Sequence, residues 1–218
     1  MDWNYNDAYK RYPIGEDVII FENGSKMKVH NIFDALPEFM MEADLIFVDP
    51  PWNLGNINTF YTKAERTDYQ TSFVTFYMRL FECIKRINPH TCYIEVGKEY
   101  LAEFIIELKK QYKYVTFYNA TYYHKKNNFC YVIRASQKKK AYKLDNLDEE
   151  NIIEWICENE TYQCIGDLCM GLGLVGIHAT KNNKKFVGTE LNHKRLSVLL
   201  EKIVCDFKAT YHRTAMNP

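Results

Sequence analysis

The segment Ala43-Asp44-Leu45-Ile46-Phe47-Val48-Asp49-Pro50-Pro51-Trp52 decides how this chain is read. The apolar run Leu45-Ile46-Phe47-Val48 reads as a strand buried on both faces, and such strands belong to parallel sheets covered by helices. The strand stops abruptly. Proline fixes φ and lacks an N–H, and the residue before each proline is driven to extended geometry, so neither Asp49 nor Pro50 starts a helix. The sequence thus delivers a carboxylate, a stiff turn and an indole to the end of a buried strand.

Outward from that segment, further strand patterns fall at 27–30, 91–96, 114–118, 129–134, 162–166 and 185–189, beside 44–48 itself. Helical spacing recurs between them. Phe73, Phe76, Tyr77, Leu80, Ile84 and Ile87 form one apolar face; Leu101, Phe104, Ile105 and Leu108 another; Leu196, Leu199, Leu200, Ile203 and Phe207 a third. Asp148-Glu149-Glu150 puts negative charge at a helix start ahead of Ile152, Ile153 and Ile156. The alternation predicts an α/β fold: a mostly parallel seven-stranded sheet with helices on both faces. The strand at 129–134 follows 114–118 across Lys125-Lys126-Asn127-Asn128, which predicts an antiparallel hairpin closing the sheet. The expected organisation is one domain, with residues 1–15 a loosely docked arm and the apolar-poor stretch 136–146 a mobile loop.

Composition excludes several classes. The apolar runs are too short to span a bilayer, and the start Met1-Asp2-Trp3-Asn4-Tyr5 lacks a basic region followed by an apolar one, so a cytoplasmic protein without membrane contact is expected. Seven cysteines without a Cys-x-x-Cys pair favour reduced thiols and no metal site. The 30 Tyr and Phe residues supply core packing and suit base stacking. Formal net charge is zero but unevenly spread. Residues 121–143 carry Lys125, Lys126, Arg134, Lys138, Lys139, Lys140 and Lys143 without an acid, a stretch able to meet phosphates. Residues 144–160 carry Asp145, Asp148, Glu149, Glu150, Glu154, Glu158 and Glu160 without a base.

The chemistry of the turn points to an exocyclic amine. The lone pair of an adenine or cytosine amino group is delocalised into the ring. Two acceptors on its N–H bonds would draw the nitrogen toward tetrahedral geometry and release that pair. An ionised Asp49 is acceptor-only, and so is the carbonyl of Pro50. Trp52 offers a face for stacking, a contact worth about 1–3 kcal/mol per base. A second signal is Asp167-Leu168-Cys169-Met170-Gly171-Leu172-Gly173, after the strand at 162–166. Its glycines allow a tight turn and close approach of a ligand, and Glu190, at the end of the next strand, suits two ribose hydroxyls.

On these residues the chain resembles the S-adenosylmethionine-dependent amino-methyltransferases that methylate adenine N6 or cytosine N4 in DNA. It is similar in particular to their circularly permuted beta group, in which the Asp-Pro-Pro-aromatic motif precedes the Gly motif. The resemblance covers residues 27–205. It includes Met27-Lys28-Val29-His30-Asn31, Ala35-Leu36-Pro37, the segment quoted first, the helix and strand within 80–95, the helix at 149–159 and Lys185-Phe186-Val187-Gly188-Thr189-Glu190. It implies a Rossmann-like methyltransferase fold, S-adenosyl-L-methionine as cofactor, and catalysis by Asp49, Pro50, Pro51 and Trp52. The implied cofactor contacts are Asn31, Asp49, Asp167, Cys169, Gly171, Gly173, Glu190 and Asn192.

The resemblance also implies N6-methylation of a flipped-out adenine in DNA, because the cytosine branch tends to carry Ser where Asp49 stands. Nucleic-acid contacts are expected from Lys125, Lys126, Lys138, Lys139 and Lys140. Others are expected from the segment at 54–69, read as a mobile surface segment carrying Tyr61, Lys63, Arg66 and Tyr69. Two departures matter. Leu168, Leu172 and Leu174 replace the Pro and two hydroxyl residues usual in the Gly motif, which leaves backbone N–H groups to hold the cofactor carboxylate. Where restriction-type members carry a target-recognition segment, this chain has only about 136–145, so recognition is expected to come from short loops or from a partner (a homodimer or a recognition subunit), or to be loose. Two rivals share the motifs: an RNA adenine-N6 methyltransferase, and a non-catalytic nucleic-acid-binding subunit of the same fold.

Overall fold

The computed structural model describes residues 5–66, 71–122 and 124–214, apart from the side chain of Lys126. Tyr69, expected to contact nucleic acid, lies outside the described residues. The strands are β1 (Val18–Phe21), β2 (Lys26–Val29), β3 (Leu45–Val48), β4 (Thr91–Val96), β5 (Tyr114–Tyr122), β6 (Lys125–Ser136), β7 (Leu147–Asp148), β8 (Cys164–Asp167), β9 (Lys185–Glu190) and β10 (Tyr211–Thr214). They form one sheet in the order β10-β1-β2-β9-β8-β3-β4-β6-β5-β7. The helices are α1 (Ala8–Arg11), α2 (Leu54–Lys63), α3 (Phe73–Ile87), α4 (Leu101–Lys109), α5 (Glu149–Asn159), α6 (Leu174–Lys181) and α7 (His193–Phe207).

The expected mixed α/β architecture is present, but the described residues form ten strands in place of seven. The additions are the antiparallel edge pair β1 and β10 beside β2, and the two-residue β7 beside β5. Short edge strands of mixed character carry little periodicity, which is why the pattern missed them. The hairpin is longer than expected: β5 and β6 pair through to Tyr122 and Lys125, and β6 pairs antiparallel with β4.

Every residue of β3 and β8 is buried, as an apolar run between two helical layers requires. One core packs Phe47, Ile165 and Phe186 against Ile152, Val175 and Leu199 of α5, α6 and α7. The other packs Ile46, Ile94 and Val187 against Phe76, Leu80 and Phe104 of α3 and α4. The helices start where local chemistry permits. Ser72 caps α3 by accepting from the Thr75 N–H at 3.0 Å, and Asp148 caps α5, with Glu149 and Glu150 in its first turn.

Several expected loose segments are packed. The arm holds Ala8 and Ile14 in the core, and Arg11 pairs with Glu201 of α7 at 2.5 Å. After Ser136, which ends β6, the chain has no helix or strand through residue 146, yet Leu144 is buried and Tyr142 packs on Trp155 with ring centroids 4.4 Å apart. The polar segment after the turn at Asp49–Trp52 is largely a helix, α2, capped by Asn53 and seated by buried Ile57 and Tyr61. No helix among the described residues is long and apolar enough to cross a membrane.

Candidate active site

Parallel pairing builds the site. β2, β9, β8, β3 and β4 run in one direction, side by side. Their carboxyl ends therefore share one edge, and the chain leaves them at Asn31, Glu190, Asp167 and Asp49, with Glu95 one residue inside the end of β4. The chain passes from β8 to β9 on one side of the sheet centre and from β3 to β4 on the other. This reversal opens a crevice at the carboxyl edge, the usual ligand site of open α/β sheets. The cleft there has a volume of about 510 Å³, and its walls include Asn31, Asp49, Asp167, Cys169, Gly171 and Glu190. That volume falls within the range of small-molecule pockets.

Asp49 is held firmly. Its Oδ1 accepts from Trp52 Nε1 at 3.0 Å and its Oδ2 from the Tyr122 hydroxyl at 3.3 Å. Burial pushes its carboxyl up to about 6, against the opposing pull of those hydrogen bonds and of Arg195. Trp52 departs from expectation. It packs against Tyr122 (ring centroids 5.0 Å apart) and over Gly97, where an added Cβ would come within 3.0 Å of the indole. Pro51 and Tyr122 line the cleft, whereas Trp52 is not among its walls; the indole orients the carboxylate, and Tyr122 is one of several aromatic residues in the cleft, with Phe47, Phe60, Tyr61 and Phe76. The turn is fixed further by Asn56, whose Oδ1 accepts the Trp52 N–H at 3.2 Å.

At the glycine loop, Asp167 and Glu190 are buried acids. Burial raises both carboxyls, Asp167 well above its usual range. Glu190 accepts from Gly171 N–H at 2.7 Å and from Asn192 N–H at 2.9 Å. Asp167 accepts from Cys169 N–H at 2.9 Å, and the Gly173 N–H donates to the Met170 carbonyl at 2.7 Å. The donors expected to hold a cofactor carboxylate are thus engaged within the loop at Cys169, Gly171 and Gly173. Gly173 serves geometry instead: its φ of +83° is left-handed, and a Cβ would fall 2.5 Å from Leu199. A buried cation the sequence reading missed, Arg195 of α7, lines the same cleft and lies over the Phe60 ring at 4.9 Å.

Asn31 is buried at the end of β2, where its Oδ1 accepts from the Tyr61 hydroxyl at 2.7 Å and from the Phe33 N–H at 3.2 Å. Tyr61 is thus buried, supports Asn31 and lines the cleft. Asn192 is buried at the start of α7. It lies outside the cleft walls, caps α7 through the Lys194 N–H, and donates to the Lys63 carbonyl at 3.1 Å.

The basic residues divide between the two ends of the sheet. Lys63 lines the cleft, Arg66 is exposed just beyond α2, and exposed Lys125 begins β6 opposite Tyr122. The backbone of Lys126 follows Lys125 on that strand. Lys138, Lys139 and Lys140 are not brought to the site. β6 runs antiparallel to β4, so Ser136 sits opposite Thr91, at the far edge of the sheet. There Lys140 donates to buried Glu160 at 2.8 Å, and Glu160 also pairs with Arg134.

No protein-family model matches this chain, and no curated protein matches its sequence. Solved structures do share its fold. The M1.HpyAVI–SAM complex superposes with a TM-score of 0.55 at 13% identity, covering 81% of this chain and 98% of that one. TTHA0409 of Thermus thermophilus, complexed with S-adenosyl-L-methionine, gives 0.54 at 14% identity, covering 78% and 88%. The cytosine-N4-specific PvuII DNA methyltransferase gives 0.53 at 11% identity, covering 84% and 89%. The chain therefore has a fold found in DNA methyltransferases.

Proposed function

We propose that this protein is an S-adenosyl-L-methionine-dependent DNA methyltransferase acting on the exocyclic amine of a base, with adenine N6 as the target. The observation that carries the reading is the opening of Asp49 into the same 510 Å³ cleft as Gly171 and Glu190. Two of the structural neighbours hold S-adenosylmethionine, and a third is a DNA methyltransferase. The residues fit such a cofactor: a buried acid at a strand end for ribose hydroxyls, buried Asn31 for an adenine edge, and Arg195 as a cation for a carboxylate. S-adenosyl-L-methionine would supply an electrophilic methyl group on a sulfonium sulfur.

The chain's own part is positioning and electrostatics. Asp49, which lines the cleft, accepts one N–H bond of the amine; the carbonyl of Pro50, a buried residue that like Trp52 is not among the cleft walls, is the proposed acceptor of the other. A carboxyl raised to about 6 is ionised at neutral pH, yet basic enough to take the proton that the alkylated nitrogen sheds. The base reaches the cleft only after leaving the duplex stack. Lys63, Arg66 and Lys125, at the carboxyl edge, meet the phosphates. The test is incubation with labelled S-adenosylmethionine and unmethylated plasmid DNA, with single-stranded RNA in parallel, followed by mass spectrometry of the nucleosides. N6-methyladenine from DNA is the expected product. N4-methylcytosine would move the target, product from RNA alone would replace DNA as substrate, and DNA binding without any product would identify a non-catalytic subunit.

A further inference from the structure

One acid in the cleft has no part in the chemistry above. Glu95 stands in a strand otherwise buried and apolar at its end, Tyr93-Ile94-Glu95-Val96, next to the catalytic strand. Side chains alternate along a strand, and Tyr93 shares its core with Phe47, so Glu95 and Asp49 extend to the same face of the sheet. Glu95 is 1% exposed and lines the cleft, and its Oε1 has no hydrogen-bond partner. Stranding a buried polar atom costs about 1–3 kcal/mol, so such an atom in a cleft points to a ligand group that completes it.

The surroundings set which kind of group. Glu95, Cys130 of β6 and Glu149 of α5 bring two carboxylate oxygens and a sulfur within 4.8 Å of one another, all buried. Asp49 and Asp148 add negative charge from the end of β3 and the start of α5. Two buried carboxyls at that separation do not both ionise, so a proton stays on the floor of the cleft. Burial, reinforced by Asp49 and Glu149 and opposed by a hydrogen bond from the Cys130 thiol, holds the Glu95 carboxyl well above its usual range, and burial keeps that thiol protonated. A protonated carboxyl is a hydrogen-bond donor.

We infer that Glu95 reads the target base, donating a hydrogen bond from its carboxylic acid to the ring nitrogen beside the amine-bearing carbon. This deepens the proposed function and rests on it. The ring nitrogen in question is N1 of adenine or N3 of cytosine, both acceptors. Guanine and thymine carry an N–H at the matching position, which would face a donor and be rejected. Asp49 accepts from the amine while Glu95 donates to its neighbour, so the pair spans the edge that distinguishes amino-bearing bases from their keto counterparts. Glu95 is a specificity-determining residue in this reading, and Glu149 positions its proton.

The test uses the full chain, unmethylated plasmid DNA and labelled S-adenosylmethionine, with product identified as the nucleoside. Wild type, Glu95→Gln and Glu95→Ala are compared across pH, with cofactor binding by calorimetry and metal content by mass spectrometry on each. An amide keeps a permanent N–H donor. Glu95→Gln is therefore expected to keep kcat/KM near neutral pH and to lose the alkaline decline that wild type shows as Glu95 ionises. Glu95→Ala is expected to lose kcat/KM by roughly tenfold or more, the usual worth of one base-edge contact, with cofactor affinity unchanged. Matching alkaline declines in wild type and Glu95→Gln would overturn the inference. So would a parallel loss of cofactor affinity, or a divalent metal bound to wild type and absent from Glu95→Gln. Absence of any product with wild type defeats the proposed function itself, a result distinct from failure at Glu95.

Discussion

Replacing Asp49 by Asn separates what this carboxylate does for catalysis from what it costs the fold. The amide oxygen can still accept from Trp52 Nε1, at 3.0 Å in the native protein, and the amide nitrogen can donate to the Tyr122 oxygen that now donates to Oδ2. Both contacts survive in kind, and the buried charge is removed. In the native chain the Asp49 carboxyl rises from 3.8 to about 6 on folding, because burial outweighs its donors and Arg195. The folded state therefore holds the proton more tightly than the unfolded one. Stability from this group is complete below about pH 4 and is lost as pH rises through about 6. A rise of roughly two pH units corresponds to at most about 3 kcal/mol. Removing the charge also relieves Glu95 and Asp167, both raised in part by Asp49, which acts in the same direction.

Urea unfolding at pH 4, 5, 7 and 8 should accordingly show Asp49→Asn equal to wild type at the acid end. At pH 8 the variant should be more stable by about 1–3 kcal/mol. Methyl transfer by the same variant should vanish, since an amide cannot take the proton from the amine. Wild-type activity should fall to roughly half near pH 6 and to about a tenth by pH 5, following the ionised fraction of Asp49. A stability difference that stays constant across the series would refute the claim that Asp49 is a buried, strained charge. Retained turnover by the variant would refute its role.

Three other outcomes follow from the geometry. Tyr122→Phe removes a donor that stabilises ionised Asp49, so the acid limb of the pH–rate profile should move to higher pH with the fold intact. Gly188→Ala sets a Cβ into Met170 and within 2.9 Å of the Asp167 carbonyl; calorimetry should show weakened S-adenosylmethionine binding, and urea unfolding a loss of about 1–3 kcal/mol. Lys125→Ala should reduce the slope of DNA affinity against salt by about one, while Lys138→Ala and Lys139→Ala, at the far edge of the sheet, should leave it unchanged.

Much of the architecture is written locally. The run Leu45-Ile46-Phe47-Val48 can be satisfied only between two apolar layers, and the prolines after it forbid a helix, so strand, turn and exit point follow from adjacent residues. The three- and four-residue spacing of α3 and α7 fixes their buried faces in the same way. Asp49, Asp167, Gly171 and Glu190 stand out because each follows or ends such a strand. What tertiary structure alone decided is which residues meet across strands. The antiparallel return of β6 carries Lys138, Lys139 and Lys140 away from the site, and its hairpin partner β5 ends with Tyr122 at Asp49, although the lysine cluster is the more conspicuous sequence feature. The seat of Tyr61 depends on Asn31, 30 residues earlier, and the engagement of the glycine loop depends on Glu190. Glu95 left a trace, a lone acid in a buried strand, but its neighbours Cys130 and Glu149 come from distant elements. Periodicity reports how one segment divides between core and solvent. It carries no register, and register determines which side chains share a cleft.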